Sequence, residues 1–241
     1  MNFRSGFLGN VPPVVLNLIL INALMLLLTN LSGEFMYEKA ALFYPGSPMF
    51  KPWQLVTHIF MHGGIGHLLF NMYALWLFGC SLEYQWNSRK FLLFYLVTGV
   101  GAALFYSFVL WLQILRVEAL IDPETLVQMK ALLSDNRIFT STTPAMRHWY
   151  EIMNTPMVGA SGAVYGVLMG FGMLYPNTVL QFIFPPVALK AKWVVIIYGA
   201  LELCLGLVNS GGNIAHLAHV GGMLFGFLLI CYWKKKGKMY Y

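Results

Sequence analysis

Charge is what this sequence has least of. Only 10% of its 241 residues are Asp, Glu, Lys or Arg, against 59% hydrophobic, whereas a soluble domain carries about 25% charged and about 45–50% apolar residues. Such a chain lacks the polar surface to face water. That excludes a soluble globular enzyme, a disordered chain and most nucleic-acid binders. Cysteine is scarce too: Cys80, Cys204 and Cys231 each sit in or beside an apolar stretch, are odd in number, and offer neither a disulfide framework nor zinc-ligand spacing. Aspartate is scarcer still, with only Asp122 and Asp135, both between apolar stretches. No aspartyl pair is therefore available inside a membrane, and no H-E-x-x-H is present for a metalloprotease. The adjacent pair His58 and His62 supplies two metal ligands without a carboxylate or cysteine nearby, short of the three or four a metal site takes. No metal and no cofactor is expected.

What the chain does have is long apolar runs. Crossing a hydrocarbon core takes roughly 20 mostly apolar residues, and six such spans are expected, at about 11–31, 64–82, 91–114, 158–175, 193–208 and 215–233. The first is too long for a signal-peptide h-region and lacks a small-residue cleavage site. The fold class expected is an all-α membrane protein, one domain over 1–241 built as a six-transmembrane-helix bundle.

The net charge of +6 then reads as orientation. Nine of the 15 Lys and Arg residues (Arg4, Arg89, Lys90, Lys190, Lys192, Lys234, Lys235, Lys236 and Lys238) fall on one side if both termini are cytoplasmic. The others, Lys39, Lys51, Arg116, Lys130, Arg137 and Arg147, occupy longer outer loops that also hold seven of the nine carboxylates. Short cytoplasmic loops carry the basic excess, so both termini are expected inside. The Lys-rich tail is expected beside anionic lipid, with no nucleic-acid partner. In the outer loop 115–157, Asp122 as N-cap, Pro123 at the first helical position and Glu124 in the first turn signal a helix. Leu126, Met129 and Leu133 share one face of it, predicting a short amphipathic helix on the outer leaflet.

Polar side chains inside a bilayer are costly, so each requires a reason. Three groups stand out: His58, His62, His67 and Asn71 around the second span; Gly159-Ala-Ser161-Gly162 followed by Tyr165 opening the fourth; and His216, His219, Gly222 and Gly226 in the sixth. Individually each has an ordinary structural explanation, a serine bonded to a helix carbonyl or a small-residue packing face. Together they suit one chemistry. Serine needs an adjacent base to become a nucleophile, and His219 is the base type suited to neutral pH. Ser161 and His219 both begin their helices from the outer side, and Gly222 and Gly226 line the His219 face, allowing a close helix crossing. Tyr165, one turn beyond Ser161, is the candidate to stack on the imidazole. His67, the Asn71 amide and the Ser161 backbone N–H are candidate donors to an oxyanion. No Asp or Glu is placed by the sequence to orient His219, so a Ser–His dyad held by packing is expected. Glu202, the one carboxylate inside a span, is left unassigned by the sequence, a neutral, hydrogen-bonded structural role being favoured over a gating one.

These residues resemble the rhomboid family of intramembrane serine proteases. The resemblance runs from about Val11 to Trp233 and rests on the H-x-x-x-N pair His67 and Asn71, the G-x-S-G at Ser161, the A-H-x-x-G-x-x-x-G run from Ala218 to Gly226, and Gly79-x-x-x-Glu83. It implies a six-helix core, a Ser161–His219 dyad, an oxyanion hole from His67, Asn71 and the Ser161 amide, supporting roles for Tyr165, Gly159, Gly162, Gly222, Gly226 and His62, and cleavage of single-span membrane proteins near the outer face of a bacterial cell membrane. Two departures stand out. The family's Trp-Arg pair in the first loop is Trp53-Gln54 here, losing the salt bridge of that Arg, and the loop 115–157 is longer than in compact members. The competing readings are a non-catalytic relative that binds or sorts membrane helices, and a small transporter, although inverted repeats with broken helices are not visible.

Overall fold

Proline, glycine and asparagine set most of the helix boundaries in the computed structural model, which describes residues 11–134, 143–182, 186–208 and 215–238. Arg4, Asp135 and Arg137 of the charge pattern lie outside the described residues. Helix α1 (Pro13–Ser32) starts on a proline whose missing N–H costs nothing in the first turn, and it stops at Gly33, whose φ of 58° suits glycine. A short α2 (Glu34–Ala40), an extended loop and α3 (Gln54–Thr57) lead to the second span. That span runs Ile65–Trp86 without a break. It comprises α4 (Ile65–Ala74), a π-helical turn over Leu75–Gly79 and α5 (Cys80–Trp86). Asn87 at φ 73° reverses the chain, and its side chain accepts the Lys90 N–H to cap α6 (Ser88–Glu118). After α7 (Pro123–Ser134) and α8 (Pro144–Asn154) come α9 (Ser161–Leu174), α10 (Ala191–Val208) and α11 (Ala215–Lys235).

Among the described residues, five helices are long and apolar enough to cross a membrane, and α9 is a shorter apolar helix. The fold is that of a helical multi-pass membrane protein. Three details differ from the sequence expectation. The fourth span is expected over 158–175, but α9 holds only 14 residues, about 21 Å at 1.5 Å per residue. Its helix begins at Ser161 because the preceding Gly159, at φ 135°, adopts a conformation no helix contains. The chain is not purely helical either: Val179–Gln181 and Ala188–Lys190 pair antiparallel as strands β1 and β2 between α9 and α10.

The third difference is in the outer loop. The Asp122 cap is present, accepting the Thr125 N–H at 3.0 Å. The stripe expected to lie on lipid, however, is covered by protein. Met129 is buried, and Leu126 and Leu133 pack with it against a second core of Ile114, Val117, Trp149 and Ile152. That core exists because α6 extends past the membrane-length segment and because α8 forms, started by Thr143 accepting the Met146 N–H with Pro144 next to it. The same start signal as at Asp122-Pro123 marks this helix.

Lipid is as apolar as leucine, so membrane helices are held by close packing and by polar contacts rather than by exclusion from water. α6, α9 and α11 pack on one another at the centre of the bundle, with α10 against α9 and α11. At the other end of the bundle from the Ser161 turn, Glu83 is buried and accepts the Val14 and Val15 N–H groups at 2.9 and 2.8 Å. It thereby caps α1, which has no side-chain cap of its own.

The first loop is organised by Gln54. Fully buried, it accepts the Lys51 and Phe43 N–H groups at 3.0 and 3.4 Å and donates to the Glu38 and Met49 carbonyls, both at 3.1 Å. The neighbouring Trp53 is half exposed and donates its indole N–H to Lys39 O at 2.8 Å. The amide therefore does locally what a salt bridge was expected to do, by holding backbone on both sides of the loop. Replacing Gln54 with Ala strands these buried groups. We expect a loss of about 2–3 kcal/mol in thermal or denaturant unfolding of the detergent-solubilised protein, with Gln54→Glu not restoring it because a carboxylate has no donor for the two carbonyls.

Candidate active site

Two backbone pairings bring the segment before α9 against the first loop and the approach to α4. Leu42 and Met157 exchange N–H···O bonds of 2.9 and 2.8 Å, and the Gly159 N–H donates to His58 O at 3.0 Å. Gly159 then turns with its positive φ, where a Cβ would also stand 2.9 Å from the His67 ring. Any larger residue is both strained and obstructed there. The turn delivers Ser161 as the first residue of α9, at the positive end of the helix dipole, where first-turn N–H groups have no acceptor within the helix.

The Ser161 Oγ lies 2.8 Å from His219 Nε2. Tyr165 stacks on the His219 ring with centroids 4.3 Å apart and planes 8° from parallel. The two helices approach this closely because Gly222 of α11 rests on Gly162 of α9. A Cβ at Gly222 would stand 1.9 Å from the Gly162 carbonyl oxygen. Gly226, one turn further, faces Gly166 in the same way. A small pocket opens beside the pair, lined by Ser161, His219, Gly159, Gly162, Met157 and His58 among others.

The other sequence candidates are distributed around this pair. His67 is exposed, and its ring borders Gly159. Its Nδ1 accepts the Gly63 N–H at 3.4 Å, which leaves Nε2 to carry the hydrogen as a donor. Asn71 is buried and gives one amide hydrogen to His67 O, one turn back, at 2.9 Å. His62 is fully buried, meets His67 edge to face at 5.1 Å, and neither ring nitrogen has a hydrogen-bond partner among the described residues.

One expectation is overturned. A carboxylate does orient His219. Glu202, near the middle of α10, accepts from His219 Nδ1 at 2.9 Å and from His216 Nδ1 at 2.6 Å, both on Oε2. The Tyr165 hydroxyl donates to its Oε1. Glu202 is thus hydrogen-bonded, as a carboxyl inside a span requires, and His219 is among its partners. Sequence spacing could not show this, because 17 residues separate Glu202 from His219 and only helix packing sets their relative rotation. A signal was present nonetheless. A carboxylate within an apolar span requires donors, and His216 and His219, three apart on one helix face, are the histidines nearest to it in the chain. Donor atoms of Glu202, His216 and His219 all lie within 4.8 Å of one another, a spacing that three ligands of one ion also adopt.

His58 and His62 carry a pH signature. Burial holds both imidazoles well below their usual range of 6.5, at about 4, opposed at His58 by its bond to the Gln54 carbonyl and reinforced at His62 by the His67 ring. Between these pH values the unfolded chain binds more protons than the folded one. Stability is therefore complete above pH 6.5 and falls as the pH drops toward 4. Melting curves of the detergent-solubilised protein should show this fall, and His58→Gln should flatten it. A pH-independent melting temperature from 7 to 4.5 would contradict it.

The fold defines a class, the multi-pass helical membrane proteins, and within it this chain sets a serine against a histidine at a helix start. The chain matches the Rhomboid domain over residues 50–115 and 130–236 and belongs to the rhomboid family. It is 27% identical over 72% of its length to "Rhomboid protein 1, mitochondrial" of Saccharomyces cerevisiae and 24% identical over 73% to "Rhomboid protease AarA" of Providencia stuartii. It is also 26% identical over 74% to "RHOMBOID-like protein 6, mitochondrial" of Arabidopsis thaliana. The chain spans 40%, 54% and 43% of the lengths of these relatives.

Proposed function

We propose that this rhomboid-family chain is an intramembrane serine endopeptidase that hydrolyses peptide bonds of single-span membrane proteins near the outer membrane face. The observation that carries the reading is the 2.8 Å contact between Ser161 Oγ and His219 Nε2 at the mouth of a pocket. His219 takes the Ser161 proton on Nε2 as Oγ attacks the scissile carbonyl carbon. The carbonyl π pair moves to oxygen, and the developing oxyanion lies within reach of the first-turn N–H groups of α9 and the His67 Nε2–H. Collapse breaks the C–N bond, with the imidazolium giving its proton to the leaving nitrogen. Water then repeats the sequence on the acyl-enzyme. A substrate helix shields its own carbonyls by hydrogen bonding, so it must unwind locally before entering the pocket. Asn71 would contribute its second amide hydrogen to the oxyanion once substrate is bound.

The basic excess on one side supports a chain with both termini cytoplasmic. The printed name of "Rhomboid protease AarA" of Providencia stuartii supports the protease reading. A fluorophosphonate probe tests the nucleophile directly. The wild-type chain is expected to become covalently labelled, and only at Ser161. Failure of the folded protein to label would leave a helix-binding relative without hydrolytic activity as the reading.

A further inference from the structure

We propose that Glu202 is a positioning residue of the reaction, which turns the expected Ser–His pair into a Ser161–His219–Glu202 relay. The inference rests on the serine-protease reading above and specifies how its base is prepared.

Glu202 is 8% exposed and is the one carboxylate on α10. Both imidazoles meet its Oε2 through Nδ1, and Tyr165 meets Oε1. A carboxylate only accepts, so each of these partners must donate, and both rings are held as Nδ1–H tautomers. For His219 this fixes the chemistry of the other nitrogen. Nε2 then presents its lone pair to the Ser161 hydroxyl 2.8 Å away. In the alternative tautomer Nε2 carries the hydrogen and has no lone pair for the serine proton. Without an acceptor at Nδ1 nothing selects between the two.

The second contribution comes as charge develops. When the Ser161 proton moves to Nε2, the Nδ1 proton stays where it is and the imidazolium faces a carboxylate at 2.9 Å. Attraction at that distance in a water-poor site lowers the barrier to proton transfer. Tyr165 closes the arrangement by stacking on the ring while bonding the carboxylate, so the ring has neither plane nor edge free to turn. Since Glu202 is supplied by α10, the relay is complete only while α10 is docked against α9 and α11.

The test uses the full chain reconstituted in vesicles with a model single-span substrate. Glu202→Gln keeps the size but sets an NH2 group against a donor. It is expected to lower kcat by about 10²-fold or more while leaving KM within about twofold. Glu202→Asp should recover part of kcat. Cys204→Ser, on the exposed side of α10, should leave kcat and KM unchanged. A folded Glu202→Gln with wild-type kcat overturns the proposal. If Glu202→Gln does not fold, the Asp variant decides by the same split: a lowered kcat at unchanged KM supports the positioning role, and a wild-type kcat overturns it. EDTA should not alter wild-type activity, and loss under EDTA that Zn²⁺ restores would overturn the relay in favour of a metal held by Glu202, His216 and His219. Wild-type protein that fails to label with fluorophosphonate defeats the protease reading itself, an outcome separate from any of these.

Discussion

Ser161→Ala is expected to reduce substrate cleavage by about 10⁴–10⁶-fold and to abolish fluorophosphonate labelling, with little change in stability. The size follows from the role. Removing the Oγ removes the atom that forms the bond, and no other hydroxyl lies within hydrogen-bond distance of His219 among the described residues, whose recorded partners are Ser161 and Glu202. The fold should tolerate the change because Ser161 Oγ makes no helix cap. The α9 start is set instead by Ala160, Gly159 and their backbone contacts. A neutral Ala in place of a partly exposed Ser leaves the packing of Tyr165 on His219 intact. Cleavage assays paired with melting curves separate catalysis from folding. Residual cleavage within about tenfold of wild type would show that Ser161 is not the nucleophile.

Gly222→Ala is expected to damage both stability and catalysis. Its Cβ would lie 1.9 Å from the Gly162 carbonyl oxygen, a backbone atom on another helix that no rotamer change can move aside. The only relief is to separate α9 from α11 by an ångström or more, which opens the interface along its length and costs about 3 kcal/mol. These are also the helices that carry Ser161 and His219. A displacement of about 1 Å at a reacting pair costs on the order of 10²-fold in rate, so kcat should fall even for molecules that remain folded. Gly226→Ala provides the internal comparison. Its nearest contact would be 3.1 Å, to the Gly166 oxygen, and a shift of a few tenths of an ångström accommodates it. The expected order in melting temperature and in kcat is wild type, then Gly226→Ala, then Gly222→Ala. A Gly222→Ala protein as stable and active as Gly226→Ala would show that the crossing is not fixed by that contact.

Much of the fold could be read from local rules. Apolar length placed the membrane helices, and Asp122-Pro123 placed the start of α7 to the residue. Thr143-Pro144 carried the same signal for α8 but stood in a segment read as loop, because α8 has an apolar face only over four buried positions, Met146, Trp149, Ile152 and Met153. The 14-residue length of α9 was not legible. Apolar residues continue on both sides of it, and only the conformation of Gly159 and the end at Tyr175 delimit the helix. The face of α7 was read correctly as apolar and assigned to lipid, although protein covers it. A stripe of Leu and Met looks the same whether its cover is lipid or a neighbouring helix.

The site divides along the same line. Residue chemistry alone selected a serine, a histidine and an aromatic neighbour from a chain with few polar side chains, and the spacing of Gly222 and Gly226 on the His219 face indicated which face of α11 packs closely. It could not connect Glu202 to them. The donors around that carboxylate come from α9 and α11 while Glu202 itself lies on α10, and the rotation of three helices about their axes is set by how their surfaces interlock, which no single helix encodes. Gln54 shows the complementary case: as a letter it marked the loss of a salt bridge, and in three dimensions it holds four backbone groups of the first loop. By itself the sequence determined a helical membrane protein, its boundaries at proline and glycine, and the chemical types available inside the apolar spans, because those follow from residue solubility and local backbone preference. Which polar groups meet, that His219 has a carboxylate behind it as well as a serine before it, was decided by tertiary packing, because a hydrogen bond requires a distance and a direction that only the assembled helices supply.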